Sequence, residues 1–351
     1  MKKIIIFLIF FNFFFFSCKS TEPAGPAEPQ AEPVDLEIVE EDIFDIVLPP
    51  PGEPLKVSAF REIWGYVVAG REDALKPGMP LSDVGYFGAE ISSYGALVDV
   101  PDRRKLSAFR GRVHLVVACN GRALSHFVLK PGSAERKALI ADLLSAARNY
   151  DGLQIDFENI PARDGEPYLS FLAELRKGLG DKMFTVALAA RTRKIADDVY
   201  DYEKIKPLVD RILVMAYDEH WSGSKPGSIA SLMWCKNVAA YSLNVIGREK
   251  LVMGLPFYGR AWVVGDSHAR AYIYTSMERV IRENNVSAIQ RENGIPTFAY
   301  DATVSVKAYY EDEYSLSTRL NMYKSMDVAA VGFWRIGQET QAVWKLLQLE
   351  K

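Results

Sequence analysis

Eight short runs of apolar and β-branched residues recur along the chain, separated by stretches with helical periodicity or loop character. They are Ile63–Ala69, Asp83–Gly88, Arg112–Cys119, Gly152–Glu158, Met183–Ala189, Arg211–Asp218, Leu251–Tyr258 and Ala329–Trp334. Residues 133–149 and 167–179 are the clearest intervening helices. Eight strands interleaved with helices predict an α/β fold, one (β/α)8 TIM barrel, rather than a doubly wound sheet. The stretch from Ser267 to Glu313, between the last two strands, is too long for a simple crossover and predicts a small insertion above the barrel.

What precedes the barrel is of a different kind. Lys2 and Lys3 are followed by an apolar run from Ile4 to Phe16, broken only by Asn12. This run is short for a bilayer span and predicts a signal peptide over residues 1–17. Cys18 follows Ser17 directly, as in a bacterial lipobox, although Phe15 stands where that motif usually has Leu. Cys18 is therefore the expected lipidation site, with the protein exported and lipid-anchored to a bacterial membrane. Residues 18–55 then form an acidic Pro-rich tether. Residues 19–55 hold ten acids against Lys19, and eight of the chain's 18 prolines. Residues 35–48 mix acids with apolar side chains and read equally as tether or as a short docked strand. The barrel domain is expected over residues 56–351.

The overall charge of −3 gives no reason to expect nucleic acid as a partner. Cys119 and Cys235 lie in apolar runs and read as buried thiols. No clustered His/Cys spacing suggests a metal site, and no cofactor is expected.

The octapeptide Asp151–Glu158, DGLQIDFE, carries the chemistry. Alternate strand residues share a face, so Leu153, Ile155 and Phe157 point to the helices. Gly152, Gln154, Asp156 and Glu158 point into the barrel. Barrel interiors are normally apolar, so three polar side chains in succession call for a functional reason, and Glu158 ends its strand at the rim where barrel enzymes place their chemistry.

DGLQIDFE resembles the DxxDxDxE signature of glycoside hydrolase family 18, the chitinase-like barrels. Three later segments extend the resemblance: VMAYDEHWSGSKPGSIA (214–230), MGLPFYGRAW (253–262) and VGFWRIGQE (331–339). Their AYDEHW and FWRIGQE stretches are most similar to bacterial cell-wall and spore-cortex N-acetylglucosaminidases. The resemblance implies retaining hydrolysis of β-1,4-linked N-acetylglucosamine glycans, peptidoglycan first and chitin oligosaccharides as the alternative. A catalytically silent glycan-binding lipoprotein is the alternative of another class.

Family 18 is substrate-assisted: the 2-acetamido oxygen is the nucleophile. The resemblance then makes Glu158 the general acid and base, with Asp156 orienting the acetamido N–H and raising the pKa of Glu158 as a like-charged neighbour. Tyr217 would bind the acetamido oxygen and Trp334 would form the floor under the sugar. Further expected contacts are Gln154, Met215, Asp218, Tyr258, Arg260 and Tyr66, with Asn120, His220, Trp221 and Trp262 also near strand ends. Asp151 would support the motif from the strand start. Gln154 replaces the motif's middle aspartate, so no proton can pass along a row of three carboxylates.

Overall fold

A computed structural model describes residues 54–264, 268–301 and 305–350. The leader, Cys18, most of the tether and the 35–48 stretch lie outside the described residues. Eight parallel strands close a barrel: β1 (Glu62–Val68), β2 (Asp83–Ile91), β3 (Arg112–Asn120), β4 (Gly152–Glu158), β5 (Met183–Ala189), β6 (Arg211–Met215), β7 (Leu251–Pro256) and β8 (Ala330–Trp334). Each pairs with the next in chain order, and β1 pairs with both β2 and β8 to complete the circle.

Among the described residues, seven α-helices accompany these strands: α1 (Arg122–Leu129), α2 (Ala134–Ala147), α3 (Gly165–Leu179), α4 (Tyr202–Ile205), α5 (Leu232–Val245), α6 (Tyr274–Glu283) and α7 (Glu313–Ser325). In place of α-helices, the link after β1 carries a 3-10 turn, Glu72–Ala74, and the link after β2 carries a short strand, Leu97–Val98, and a 3-10 turn, Arg103–Leu106. On α3, Tyr168, Phe171, Leu172, Leu175 and Leu179 recur at helical spacing, and all are buried against the barrel. Ser133 caps α2 by accepting from the Arg136 amide at 3.2 Å. Asp312 and Ser315 form a capping box at the start of α7.

The alternation read in β4 holds. Leu153, Ile155 and Phe157 join the core under the helices, with Phe157 stacked on Phe171 at 5.5 Å. Gln154 lies inside the barrel, fully buried. Cys119 and Cys235 are buried, free thiols.

Two boundaries differ from the sequence reading. Strand β6 stops at Met215, because the Ala216 amide turns back to the Val214 carbonyl at 2.9 Å. The insertion begins at Tyr258 rather than Ser267. Tyr258–Val263 is the second strand of a five-stranded antiparallel sheet, ordered Ala269–Ile273, Tyr258–Val263, Ser305–Tyr309, Ile295–Asp301 and Gln290–Glu292. Its strands pair with each other and not with β7, so Tyr258, read as the end of a barrel strand, instead opens the insertion.

Candidate active site

Asp156 and Glu158 stand at the C-terminal end of β4. The ladder to β3 runs to the last residue, Asn120 opposite Glu158, whereas the ladder to β5 ends at Ile155 opposite Val186. The tip of β4 is thus fixed on one side and open on the other, over a cleft of about 530 Å³. Ala187, Ala189 and Ala190 leave that space free, and Met215, Tyr217, Trp221 and Trp234 border it. Tyr200 clamps the tip: its hydroxyl donates to the Phe157 carbonyl at 2.9 Å and accepts from the Ile160 amide at 3.1 Å.

Neither acid of this pair has a hydrogen-bond partner among the described residues, and the Oδ1 atom of Asp156 is buried. Buried polar atoms are normally paired, so an orphan at a cleft points to a group that arrives with the ligand. Burial, and then the charge of Glu158, push the Asp156 carboxyl up to about 8. Glu158 is also raised, chiefly by burial and secondarily by Asp218. The sequence reading made Asp156 the neighbour that raises Glu158. Desolvation in the cleft wall is the first cause, the repulsion within the pair shows as the Glu158 charge raising Asp156, and Asp218 adds to the load on Glu158.

Asp218 borders the cleft with its side chain 39% exposed, but one of its oxygens is already engaged by the protein. Its Oδ1 accepts from the Tyr258 hydroxyl at 2.7 Å and from Arg260 at 2.8 and 3.1 Å. Asp218 has a positive φ of 59°, and this turn carries its carboxylate to the insertion sheet. Tyr258 and Arg260 therefore meet Asp218 first, and through it they shape the field at Glu158.

Tyr217 follows the end of β6 and still reaches the cleft. Its ring lies edge-on to Tyr258 at 6.3 Å, and burial pushes its hydroxyl well above the usual tyrosine range. Gly254 on β7 makes this possible, since a Cβ there would lie 2.8 Å from the Val214 carbonyl and 3.1 Å from the Tyr217 ring. The Tyr217 hydroxyl has no hydrogen-bond partner among the described residues.

Trp334 ends β8 across the mouth from β4. Its ring lies 5.6 Å from Tyr66 and 5.0 Å from Phe87, making an aromatic floor. Tyr66 is almost wholly buried, and its hydroxyl donates to Gln154 Oε1 at 2.6 Å. Gln154 Nε2 donates to Thr185 at 3.0 Å. Gln154 was expected to meet the sugar; instead it is 0% exposed and ties the floor to β5. The floor and the acid pair thus share one buried support.

Residues 102–339 match the profile of glycosyl hydrolases family 18. The chain belongs to that family. The uncharacterized glycosylase YvbX of Bacillus subtilis is 30% identical over 58% of this chain and 62% of its own length. The cortical fragment-lytic enzyme of Bacillus subtilis is 25% identical over 85% of this chain and 75% of its own length. This chain thus spans less than two thirds of the first of these relatives. The crystal structure of the Bacillus cereus spore cortex-lytic enzyme SleL superposes with a TM-score of 0.74, at 21% identity, over 85% of this chain and 77% of that one. The barrel is therefore a domain of the glycosyl hydrolases family 18.

Within this family 18 barrel, three of the weaker sequence candidates hold the rim together. Trp262 is buried and donates its indole N–H to the Ser224 carbonyl at 3.1 Å. His220 bonds the Ser228 carbonyl at 2.6 Å within the same loop. Asn120 accepts from Asn159 at 2.7 Å. Trp221 is 55% exposed at the cleft edge. Tyr200, Asn159 and Trp234 were missed. Tyr200 and Trp234 come from the connections after β5 and β6, and nothing in their local sequence ties them to β4. Asn159 directly follows Glu158 and has a positive φ of 57°; an asparagine at a strand end was the turn signal the sequence offered.

Proposed function

We propose that this protein hydrolyses β-1,4-linked N-acetylglucosamine glycans with retention, by substrate assistance, and that its substrate is peptidoglycan. The observation that carries this reading is the unpaired Asp156–Glu158 couple on one face of β4, with Asp218, the other charge acting on Glu158, already held by Tyr258 and Arg260. Two acids on one strand approach a glycosidic bond from the same side. They supply one proton donor and no opposing nucleophile, so the nucleophile must come from the sugar.

In this mechanism the sugar lies over Trp334 with its 2-acetamido group directed at β4 and β6. The acetamido N–H meets the orphaned Asp156 Oδ1. This contact favours the carboxylate form of Asp156 and leaves the pair's proton on Glu158. Glu158 then protonates the leaving glycosidic oxygen while the acetamido oxygen attacks C1, forming an oxazolinium ion. The Tyr217 hydroxyl donates to the acetamido oxygen as this forms, and the Asp156 charge stabilises the cation. Glu158 finally takes a proton from water, which attacks C1 and restores the retained anomer.

The cortical fragment-lytic relative, similar along 85% of this chain, supports peptidoglycan over chitin. Mass spectrometry of products from purified peptidoglycan and from chitin oligomers tests the choice. New reducing-end N-acetylglucosamine from peptidoglycan is expected. Cleavage of chitin oligomers alone makes the protein a chitinase, and binding without cleavage makes it a glycan-binding barrel. We further propose that Cys18 carries a lipid that holds the enzyme at a bacterial membrane. Fatty-acid probe labelling should vanish in Cys18→Ala, and labelling that persists there refutes the anchor.

A further inference from the structure

Strand β5 is small-sided where it borders the acid pair. Thr185, Ala187 and Ala189 share its inward face. Thr185 pairs with Gln154, so counting along both strands puts Ala187 level with Asp156 and Ala189 level with Glu158. On the other side Ala187 pairs with Leu213 and Ala189 with Met215 of β6. The cleft thus has two levels. The space beside Asp156 takes the acetamido group in the mechanism above. A second space opens beside Glu158, over Ala189 and Ala190, with Asn159, Trp221 and Trp234 around it. The bound N-acetylglucosamine, seated on Trp334 with its acetamido group one level down, leaves this second space unused. Among the described residues, the only charged side chains lining the cleft are Glu158 and Asp218, both acids, and no lysine or arginine borders it.

We propose that the recess over Ala189 holds an uncharged lactyl amide on C3 of the leaving sugar, and so selects stem-bearing peptidoglycan strands over stem-free ones. The proposal rests on the peptidoglycan reading above. Glu158 protonates the oxygen on C4 of the leaving sugar, and C3 is the neighbouring ring carbon. Whatever C3 carries is therefore held close to Glu158. In chitin that group is a hydroxyl. In peptidoglycan it is a lactyl ether, with a methyl group and a carboxyl that becomes an uncharged amide wherever a stem peptide is attached. The methyl group packs on Ala189 and the indoles. The Asn159 side chain donates one amide N–H to Asn120, which leaves its second for the lactyl carbonyl. A free lactyl carboxylate meets two acids and no cation here, and like charges at short range disfavour it.

The test uses three substrates of similar length at about pH 7, where the free lactyl acid is ionised. These are alternating strands with free lactyl acids, the same strands with each lactyl carboxyl capped as its methylamide, and chitin oligosaccharides. Wild type should cleave the capped strand with a kcat/KM about tenfold or more above that of the free-acid strand, the difference carried by KM. Ala189→Val and Ala189→Leu fill the recess in two steps. Relative to chitin, kcat/KM on the capped strand should fall about threefold in the first and about tenfold in the second. Equal losses on the capped strand and on chitin overturn the recess and leave the peptidoglycan reading standing. So does a wild type that cleaves both alternating strands equally well, a result that needs no variant to fold. Calorimetric binding of both alternating strands to Glu158→Gln, with and without Ala189→Leu, is read in parallel. If wild type cleaves chitin and neither alternating strand, the peptidoglycan reading falls. The recess is then judged on binding, where Glu158→Gln must still hold the capped strand about tenfold more tightly than the free-acid strand and lose that preference with Ala189→Leu.

Discussion

The two ends of this barrel are both rich in charge, but they treat it in opposite ways. At the base, where the strands begin, Glu62 accepts from Arg211 at 2.6 Å and from the Trp64 indole at 3.0 Å. Asp83 accepts from Arg112 at 2.6 Å and bonds His114 at 2.8 Å. His114 stacks on Trp64 at 4.4 Å, and Gly152 leaves no room for a Cβ beside it. Burial alone would raise both acids. The hydrogen bonds and charge of His114 and Arg112 instead bring Asp83 down to about 2, and those of Arg211 lower Glu62. At the mouth, Asp156 and Glu158 are desolvated without partners, and both are raised. Paired charge at the base holds strands together. Unpaired charge at the mouth stores a demand for ligand, which folding alone leaves unmet.

The sharpest break between the ends should come from Glu158→Gln. The amide keeps the shape but cannot donate the proton, so kcat should fall about 1,000-fold or more, while the melting temperature stays within a few degrees. Retained activity would move the acid elsewhere. The reciprocal change is Asp83→Ala at the base. It strands His114 and Arg112 without their acceptor and should cost about 3–5 kcal/mol in denaturant unfolding, with kcat per folded molecule nearly unchanged. A large fall in kcat at full folding would mean that the base communicates with the mouth.

This contrast was only half visible in the sequence. The eight strands could be read because each is a short apolar run between turn signals, and β4 matched residue for residue. The acid pair stood out because polar residues occupied one strand face. The base did not stand out, because Glu62, Asp83 and Arg211 each begin a strand and look like ordinary polar edges. Their partners come from other strands: Arg211 reaches Glu62 across 149 residues of sequence. Periodicity reports which face a side chain takes, but not what meets it there. The same limit explains Gln154 and Asp218. Gln154 was placed correctly on the polar face and Asp218 lies three residues past its strand, yet Tyr66 and Thr185 occupy the first, and Tyr258 and Arg260 the second.

Tyr217→Phe should separate binding from turnover within the mouth. Its hydroxyl is unpaired before the ligand arrives and acts on the acetamido oxygen as charge develops. We expect kcat to fall about 100-fold, with KM within about threefold. A thiazoline mimic of the cyclised sugar should lose comparable affinity. An equal effect on substrate binding would make the tyrosine a simple contact residue.

The smallest effect is also the most direct measure of the difference between the two ends, because Asp83 and Asp156 should couple folding to pH with opposite signs. Asp83 has a folded pKa of about 2, below its ordinary 3.8. Its stabilisation is present above about pH 4 and is lost as pH falls through about 2. Asp156 has a folded pKa of about 8, above the same 3.8. Between these values the unfolded chain has released a proton that the folded chain retains, so rising pH favours unfolding through this group until about pH 8. Asp156→Asn removes that penalty. The variant should match wild type near pH 4 and melt about 2 °C or more above it at pH 7 to 8, although its catalysis is impaired. The same substitution leaves Glu158 to titrate without its like-charged partner, and the alkaline limb of any residual kcat/KM profile should move to lower pH. A melting-temperature difference that is flat across this range would show that Asp156 is already ionised and paired in the free protein, which would remove the distinction between mouth and base.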